Sequence, residues 1–554
     1  MTSATTSAAR QGRQDAAASG TLTHRQIMII LSGLMLGMFL SALDQTIVST
    51  AIRTIADKLN GQTAQAWVTT AYLVTSTVST PLYGKLSDQY GRKPFFLFAI
   101  IIFVIGSMLC GIAHSIYELA AYRGLQGLGA GGLMSLVFAI VGDIVPPRER
   151  GRYQAYFTSV FATSSVLGPV LGGFFAGQDS ILGIDGWRWI FYLNVPVGLA
   201  ALIVVQRNLN LPSRRSEHRI DYLGAALLTA AVVPLLLVAE KGREWGWGSG
   251  LTLGLITASL VGLGLFIPRQ AKMGEEAILP LRVFRSRVFT VSSATSFLVG
   301  AAMFGGLTSL PLYLQIVRGK SPTVAGLMLV PLMVGIIISS QTSGRIMART
   351  GRYKIFPIIG TAVMTTAMLL FSTLQYDTPI WHVEVFMLVM GAGLGLSMQT
   401  LVISVQNALP PRDMGVATSS VTFFRSMGAT FGVAIALAIL FGSLVGNIKD
   451  RALAAHLPAA VLARFDDLSG FNDTSVIKTL PPVVQRVVLQ GFADSMHSVF
   501  LTVALLLIPA FVLTFFITEV PLRQTSGLAA QQAQQDQQDQ QSAGDRAEAA
   551  TAVV

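Results

Sequence analysis

The sequence predicts an all-α membrane protein: fourteen transmembrane helices, arranged as two six-helix halves with two extra helices between them. Three observations predict it. Only 12% of the 554 residues are charged, against roughly 25% in soluble domains, while 52% are hydrophobic and the mean hydropathy is +0.60. Fourteen apolar runs are each about long enough to cross some 30 Å of hydrocarbon, which takes about 20 helical residues. Charged and glycine-bearing stretches at the ends of these runs recur once, at a nearly constant offset.

Residues 1–25 are polar and rich in Ala, Ser and Thr. They have no short apolar core followed by a small-residue cleavage site, so they read as a disordered cytoplasmic tail and not as a signal peptide. The first half, 26–206, holds spans at 26–50, 66–86, 95–114, 117–141, 153–176 and 188–206. Spans at 222–239 and 251–268 form the inserted pair. The second half, 289–519, holds 289–316, 324–346, 355–374, 384–408, 418–444 and 497–519, with an extracytoplasmic loop at 445–496 before the last. The Gln-rich stretch 524–554 lacks the apolar residues needed to offset the entropy of ordering and reads as a second disordered cytoplasmic tail. An even number of spans puts both ends on one side. Most of the 39 Lys and Arg fall in segments on that side, which the positive-inside rule makes cytoplasmic.

The repeat is carried by "GKLSDQYGRKP" at Gly84 and "GRIMARTGRYK" at Gly344. Gly84, Gly91 and Arg92 fall on Gly344, Gly351 and Arg352 at an offset of 260. "PPRERG" at Pro146 falls on "PPRDMG" at Pro410, and Gly129, Gly131 and Met134 on Gly393, Gly395 and Met398, at an offset of 264. Ordered matches at nearly one offset argue for two homologous halves, with a site between them near the bilayer midplane and access alternating as one half rocks on the other.

These stretches carry a resemblance. "GKLSDQYGRKP" resembles the signature of the major facilitator superfamily between its second and third helices. "RGLQGLGAGG" at Arg123 resembles its helix-4 motif, and "SSVLGPVLGG" at Ser164 its exporter-type helix-5 motif. "LDQTIVSTAI" at Leu43, "WRWIFYLNVPVG" at Trp187 and "IDYLG" at Ile220 are similar to the fourteen-span drug:proton antiporter family, although Ser49 and Arg53 stand where that family usually has Asn and Pro. The resemblance covers about residues 26–520. It implies a major facilitator fold and a proton-coupled multidrug antiporter in the plasma membrane that exports amphipathic compounds by alternating access. Two other readings stay open, an exporter of one physiological solute (a lipid, siderophore or amino acid) and a proton-coupled importer.

Ionisable residues inside a span cost about 2.5–3.5 kcal/mol on insertion scales and are functional candidates by default. Asp44 lies among Met, Leu and Ile in the first span, and Arg123 in the otherwise apolar fourth. A carboxyl in such a place suits proton coupling, whereas Arg123 stays charged and can only act on a neighbour. The resemblance gives Arg123 the same role. Gln126, three residues on, shares its helix face. In the signature loop, Gly84 lets two helices approach, and Gly91 and Arg92 follow Asp88. Asp88 is expected at the start of the thirteenth span near Gly415–Ser419, where helix N-termini favour anions by up to about 1–2 kcal/mol. Arg92 is expected to bridge it to Asp143, completing a cytoplasmic gate. Gly168, Pro169, Gly172 and Gly173 are expected to form a close-packed seam between the halves. The expected lining of the substrate cavity is Gln45, Tyr72, Gln126, Tyr313, Gln315, Gln399, Phe424 and Arg425. It suits an amphipathic substrate.

Other chemistry is disfavoured. The one cysteine, Cys110, lies in an apolar run, which allows no internal disulfide and suits no catalytic thiol. No phosphate-binding loop, zinc-spaced His/Cys cluster or nucleophile elbow is present. The chain is therefore expected not to be an enzyme, to need no cofactor or metal, and to bind no nucleic acid. It is expected as a monomer whose partners are the bilayer, protons and its substrate, with the 445–496 loop open to an extracytoplasmic partner.

Overall fold

The computed structural model describes residues 24–61, 64–209, 221–320, 322–457 and 480–523. The terminal tails (apart from residues 24 and 25), Ile220 and the centre of the 445–496 segment lie outside them. Fourteen helical spans run in chain order. In the first half these are α1 His24–Lys58, α2 Gln65–Tyr90, α3 Arg92–Gly111, α4 Ile116–Ile144, α5 Arg150–Ala176 and the composite α6 Gly186–Asn208. Next come α7 Tyr222–Trp245 and α8 Gly250–Met273. The last six are α9 Arg287–Leu312, α10 Val324–Thr350, α11 Ile355–Ser372, α12 Ile380–Ala408, α13 Met414–Ala454 and α14 Pro482–Phe515.

Among the described residues, thirteen helices are long and apolar enough to cross a membrane. The other span, α2, is 26 residues long and rich in Thr and Ser. Four of its hydroxyls are satisfied locally: Thr75, Ser76, Ser79 and Thr80 each donate to a carbonyl three or four residues back. That pattern lets a polar helix lie inside a bundle, and α2 packs between α4 and α13.

The first and last six helices share one packing scheme. In the first six, α1 packs on α5 and α6, α2 on α4, and α3 on α4 and α6. In the last six, α9 packs on α13 and α14, α10 on α12, and α11 on α12 and α14. Separate apolar cores fill the two sets, one around Leu34, Phe96, Phe103 and Leu133 and one around Met364, Phe371, Phe492 and Phe500. The sets meet along two seams, α2 against α13 and α5 against α10. The inserted α7 lies on the first seam, where Leu228, Val232 and Leu236 pack with Val74 and Val78 of α2 and Phe423 of α13.

Several boundaries differ from expectation. Helix α1 already includes His24 and Arg25, inside the expected tail, and His24 Nδ1 pairs with the Tyr153 hydroxyl at 2.9 Å. Helix α9 passes into a π-helical turn at Tyr313–Val317. The 445–496 segment is no simple loop: α13 continues to Ala454 and α14 starts at Pro482. Arg451 and Asp494 join these extensions through bonds of 2.6 and 2.8 Å, and Asn447 donates to Ser495 at 2.9 Å.

Candidate functional site

Two constellations stand out, one buried among α1, α4 and α6 and one at the face that carries both described chain ends. That face is called the basic face below.

In the first, Asp44 of α1 is fully buried and Arg123 of α4 is 2% exposed. Arg123 Nη1 donates to Asp44 Oδ2 at 2.5 Å and to Gln126 Oε1 at 2.6 Å. Gln126 Nε2 turns back to Asp44 Oδ1 at 2.9 Å. Asn194 of α6 closes the ring, donating from Nδ2 to Asp44 Oδ1 and to Ser107 Oγ, both at 2.8 Å. The Arg123 guanidinium also lies 4.1 Å from the centre of the Tyr72 ring. Tyr72 pairs with Ser41 at 3.1 Å and accepts from Gln45 at 3.5 Å. An ion pair this deep survives only if its remaining valences are satisfied, and Asp44 meets that condition through one cation and two amides.

The ring sets what a proton could do here. Once protonated, Asp44 becomes a donor and needs an acceptor. Arg123 has donors only, and Gln126 Oε1 is held by Arg123. Asn194 Oδ1 is buried with no partner among the described residues. Asn194 can turn its amide over and accept from the protonated acid with this unpartnered oxygen.

At the basic face, Gly84 brings α2 against α13. A Cβ there would stand 2.5 Å from Ser419 Cβ and 2.8 Å from the Gly415 carbonyl oxygen. One turn on, the N–H groups of Gly415 and Val416 donate to the two Asp88 oxygens, both at 2.9 Å. Gly91 takes φ +98°, which glycine tolerates, and ends α2. Arg92 then reaches Asp88 at 2.5 Å, Ser87 Oγ at 2.6 Å and Asp143 Oδ2 at 2.7 Å. A second set of contacts joins the halves at the other seam. Arg148 donates to the Ala348 and Arg349 carbonyls at 2.5 and 3.0 Å. Buried Arg150 donates to Gln406 Oε1 of α12, to the Gly142 carbonyl at 2.6 Å and to the Val145 carbonyl at 2.9 Å. Gln406 Nε2 donates to the Phe138 carbonyl of α4 at 3.2 Å and to Thr418 Oγ1 of α13 at 2.8 Å. The segment after α8 spans this face: Lys85 donates to the Glu275 carbonyl, and Arg282 reaches Glu275 at 3.2 Å and Asp413 at 2.9 Å.

Two expected groupings are corrected. Among the seam residues, Gly168 and Gly172 pack α5 onto α1 within the first half; a Cβ at Gly168 would stand 2.5 Å from Thr46 Cβ, and one at Gly172 2.9 Å from the Ile47 carbonyl. Pro169 touches the other half, packing against Gly326 of α10, and Gly173 faces open space. The expected cavity set is dispersed. Gln126 and Tyr72 belong to the Asp44 ring, with Gln45 beside them. Tyr313 is fully buried in the second-half core and donates to the Gln375 carbonyl at 2.7 Å, an anchor for the loop that follows α11. Gln315 is half-buried in the same π-turn, and Gln399 is buried in α12. Phe424 packs with the α7 cluster and edge-on to Phe284. Arg425 is half-buried in α13. The residues missed were Asn194, Arg148, Arg150 and Gln406. The signal for Arg148 and Arg150 was present, because "PPRERG" carries two arginines where its copy carries one.

The comparisons agree with this architecture. The family model described as Major Facilitator Superfamily matches residues 34–433. The chain is 39% identical over 495 residues to an MFS-type transporter of Mycobacterium tuberculosis, covering 89% of this chain and 70% of that one. It is 34% identical over 514 residues to the multidrug transporter protein MdtP of Bacillus subtilis, covering 89% and 93%. The solved proton:xylose symporter XylE superposes with a TM-score of 0.59 at 16% identity, covering 92% of this chain and 99% of that one. With a family model matching most of the chain and the two-seam packing of its helices, this protein belongs to the major facilitator superfamily and is a multi-pass membrane transporter.

Proposed function

We propose that the protein is a proton-coupled exporter of amphipathic compounds, of the fourteen-span drug:proton antiporter kind, in the plasma membrane with both ends in the cytoplasm. The observation that carries the reading is the Asp44 ring, a carboxylate bonded across three helices inside an apolar bundle. Its position supports coupling, because protonation removes the charge that holds Arg123 and turns Asp44 from acceptor to donor. The relative named a multidrug transporter supports export of drug-like molecules. The positive-inside rule supports assigning the basic face to the cytoplasm. The bonds from Asp88, Arg148 and Arg150 close that face, which supports an outward-facing state.

The cycle follows from differential affinity, the only means by which a proton or substrate can move a conformational equilibrium. A proton taken from outside neutralises Asp44 and loosens the α1–α4–α6 ring. That change favours release of the basic-face contacts. Substrate then enters from the cytoplasm or inner leaflet, and loss of the proton inward restores the closed face. The test is substrate-driven proton flux in proteoliposomes. Asp44→Asn and Arg123→Ala are expected to abolish coupling, and wild-type coupling in both variants overturns the proposal.

A further inference from the structure

Arg425 is an ionisable residue within a span that neither constellation uses. It lies eleven residues into α13, about 16 Å along the helix axis from Met414. That puts it near the middle of about 30 Å of hydrocarbon. Seven residues separate it from Thr418, so the two share a helix face. Thr418 faces the centre of the bundle, where Gln406 joins it to the Phe138 carbonyl of the other half. Arg425 therefore stands two turns above the central closure on the same face of α13. Its stem rests on α9, where a Cβ at Gly300 would come within 3.1 Å of Arg425 Cγ.

The guanidinium has nothing to hold. No hydrogen bond or ion pair engages it among the described residues, and it stays half-buried, not sealed. Arg150 and Arg123, by contrast, are fully enclosed and bonded. Asp44, a fully buried carboxylate of the bundle interior, is committed to Arg123. A charge at this depth is too costly to face lipid unpaired, so its open side is the cleft above the closure. With the Asp44–Arg123 pair electrically neutral, neither constellation compensates the Arg425 charge.

We infer that Arg425 is an anion subsite of the transport cleft. It takes the carboxylate, sulfonate or phosphate of an amphipathic substrate, and the protein prefers anionic or zwitterionic amphiphiles to purely cationic ones. Arginine suits this role because its planar fork meets such groups through two parallel bonds. The inference deepens the transport reading and rests on it.

The test is equilibrium binding to the full-length protein in detergent. The probes are three dansyl alkyl compounds of equal chain length that end in a carboxylate, a hydroxyl or a trimethylammonium. The wild type is expected to bind the carboxylate at least tenfold more tightly than the ammonium. Arg425→Gln is expected to erase that difference and leave hydroxyl binding unchanged, which also reports an intact fold. Arg425→Lys is expected to keep part of the preference, since the charge remains but the fork is lost. A wild type that favours the ammonium, or an R425Q protein with the wild-type preference, overturns the assignment. Should R425Q fail to fold, the wild-type comparison and R425K decide. No pH gradient enters the measurement. A protein that shows the preference but moves no protons keeps the subsite and loses the coupling, so the two failures are distinguishable.

Discussion

Replacing Asp88 by asparagine isolates one seam of the basic-face closure. The carboxylate gives one oxygen to the Gly415 N–H and the other to the Val416 N–H, and it faces Arg92 at 2.5 Å. An asparagine offers one carbonyl oxygen and one amide group. It can keep one of the two backbone donors, and its own N–H groups then oppose the other. The loss has two parts. A negative charge at a helix N-terminus stabilises by about 1 kcal/mol, up to about 2 in partly buried geometry. An orphaned buried N–H costs about 1–3 kcal/mol. Arg92 keeps Asp143 at 2.7 Å, so its burial adds little. The sum, about 3 kcal/mol against the closed face, shifts the equilibrium by on the order of 100-fold. Membrane insertion is expected to be intact, because Asp88 lies at the end of its helix. The assay is a distance distribution between spin labels at exposed Glu149 and Arg349, which lie in opposite halves at this face. The wild type is expected to show a short distance, and Asp88→Asn a growing longer one with slower transport. Superimposable distributions together with normal transport refute the closure argument.

Arg148→Ala removes two donors from the C-terminal carbonyls of α10 and should open the same face by about 1–2 kcal/mol. Because it acts at the other seam, its effect should add to that of Asp88→Asn in the same distance measurement. Asn194→Leu leaves a protonated Asp44 without its acceptor. The carboxylic C=O band that appears on acidification, assigned by its loss in Asp44→Asn, should move to higher frequency in infrared difference spectra, and an unmoved band contradicts the amide turn. Gly168→Ala should lower the melting temperature, since its Cβ meets Thr46. Gly173→Ala, with nothing within 4 Å, should be neutral or slightly stabilising by helix propensity.

What was legible in the sequence divides along physical lines. The spans were legible because the bilayer imposes length and apolarity on each helix separately. The contact between Asp88 and the start of α13 was also expected, since a charged helix end has few places to go. Pairing across helices deep inside the bundle was not legible. Asp44 and Arg123 were nominated one by one, and nothing in the spacing said that they touch. Asn194 was read only as part of "WRWIFYLNVPVG", because a neutral amide gives no signal until its partners on α1 and α3 are in place. Tyr313 was misread because a hydroxyl near a span end looks the same whether it lines a cleft or anchors a loop. The glycines of α5 were read as a seam between halves. Small residues announce close packing without naming the neighbour, and here the neighbour is α1.

The extended α13 gives the protein a pointer. Its 41 residues make a rod of about 60 Å, longer than a bilayer of about 45 Å with its headgroups, and the Arg451–Asp494 pair braces it to α14. The rod is pinned near Met414, and its far end moves together with α14. If the second half swings by about 10°, comparable to known subunit rotations, the far tip sweeps about 10 Å while the pinned end scarcely moves. A fluorophore pair with one member at that tip would turn a small pivot inside the membrane into a large signal outside it, readable on single molecules without touching the cleft.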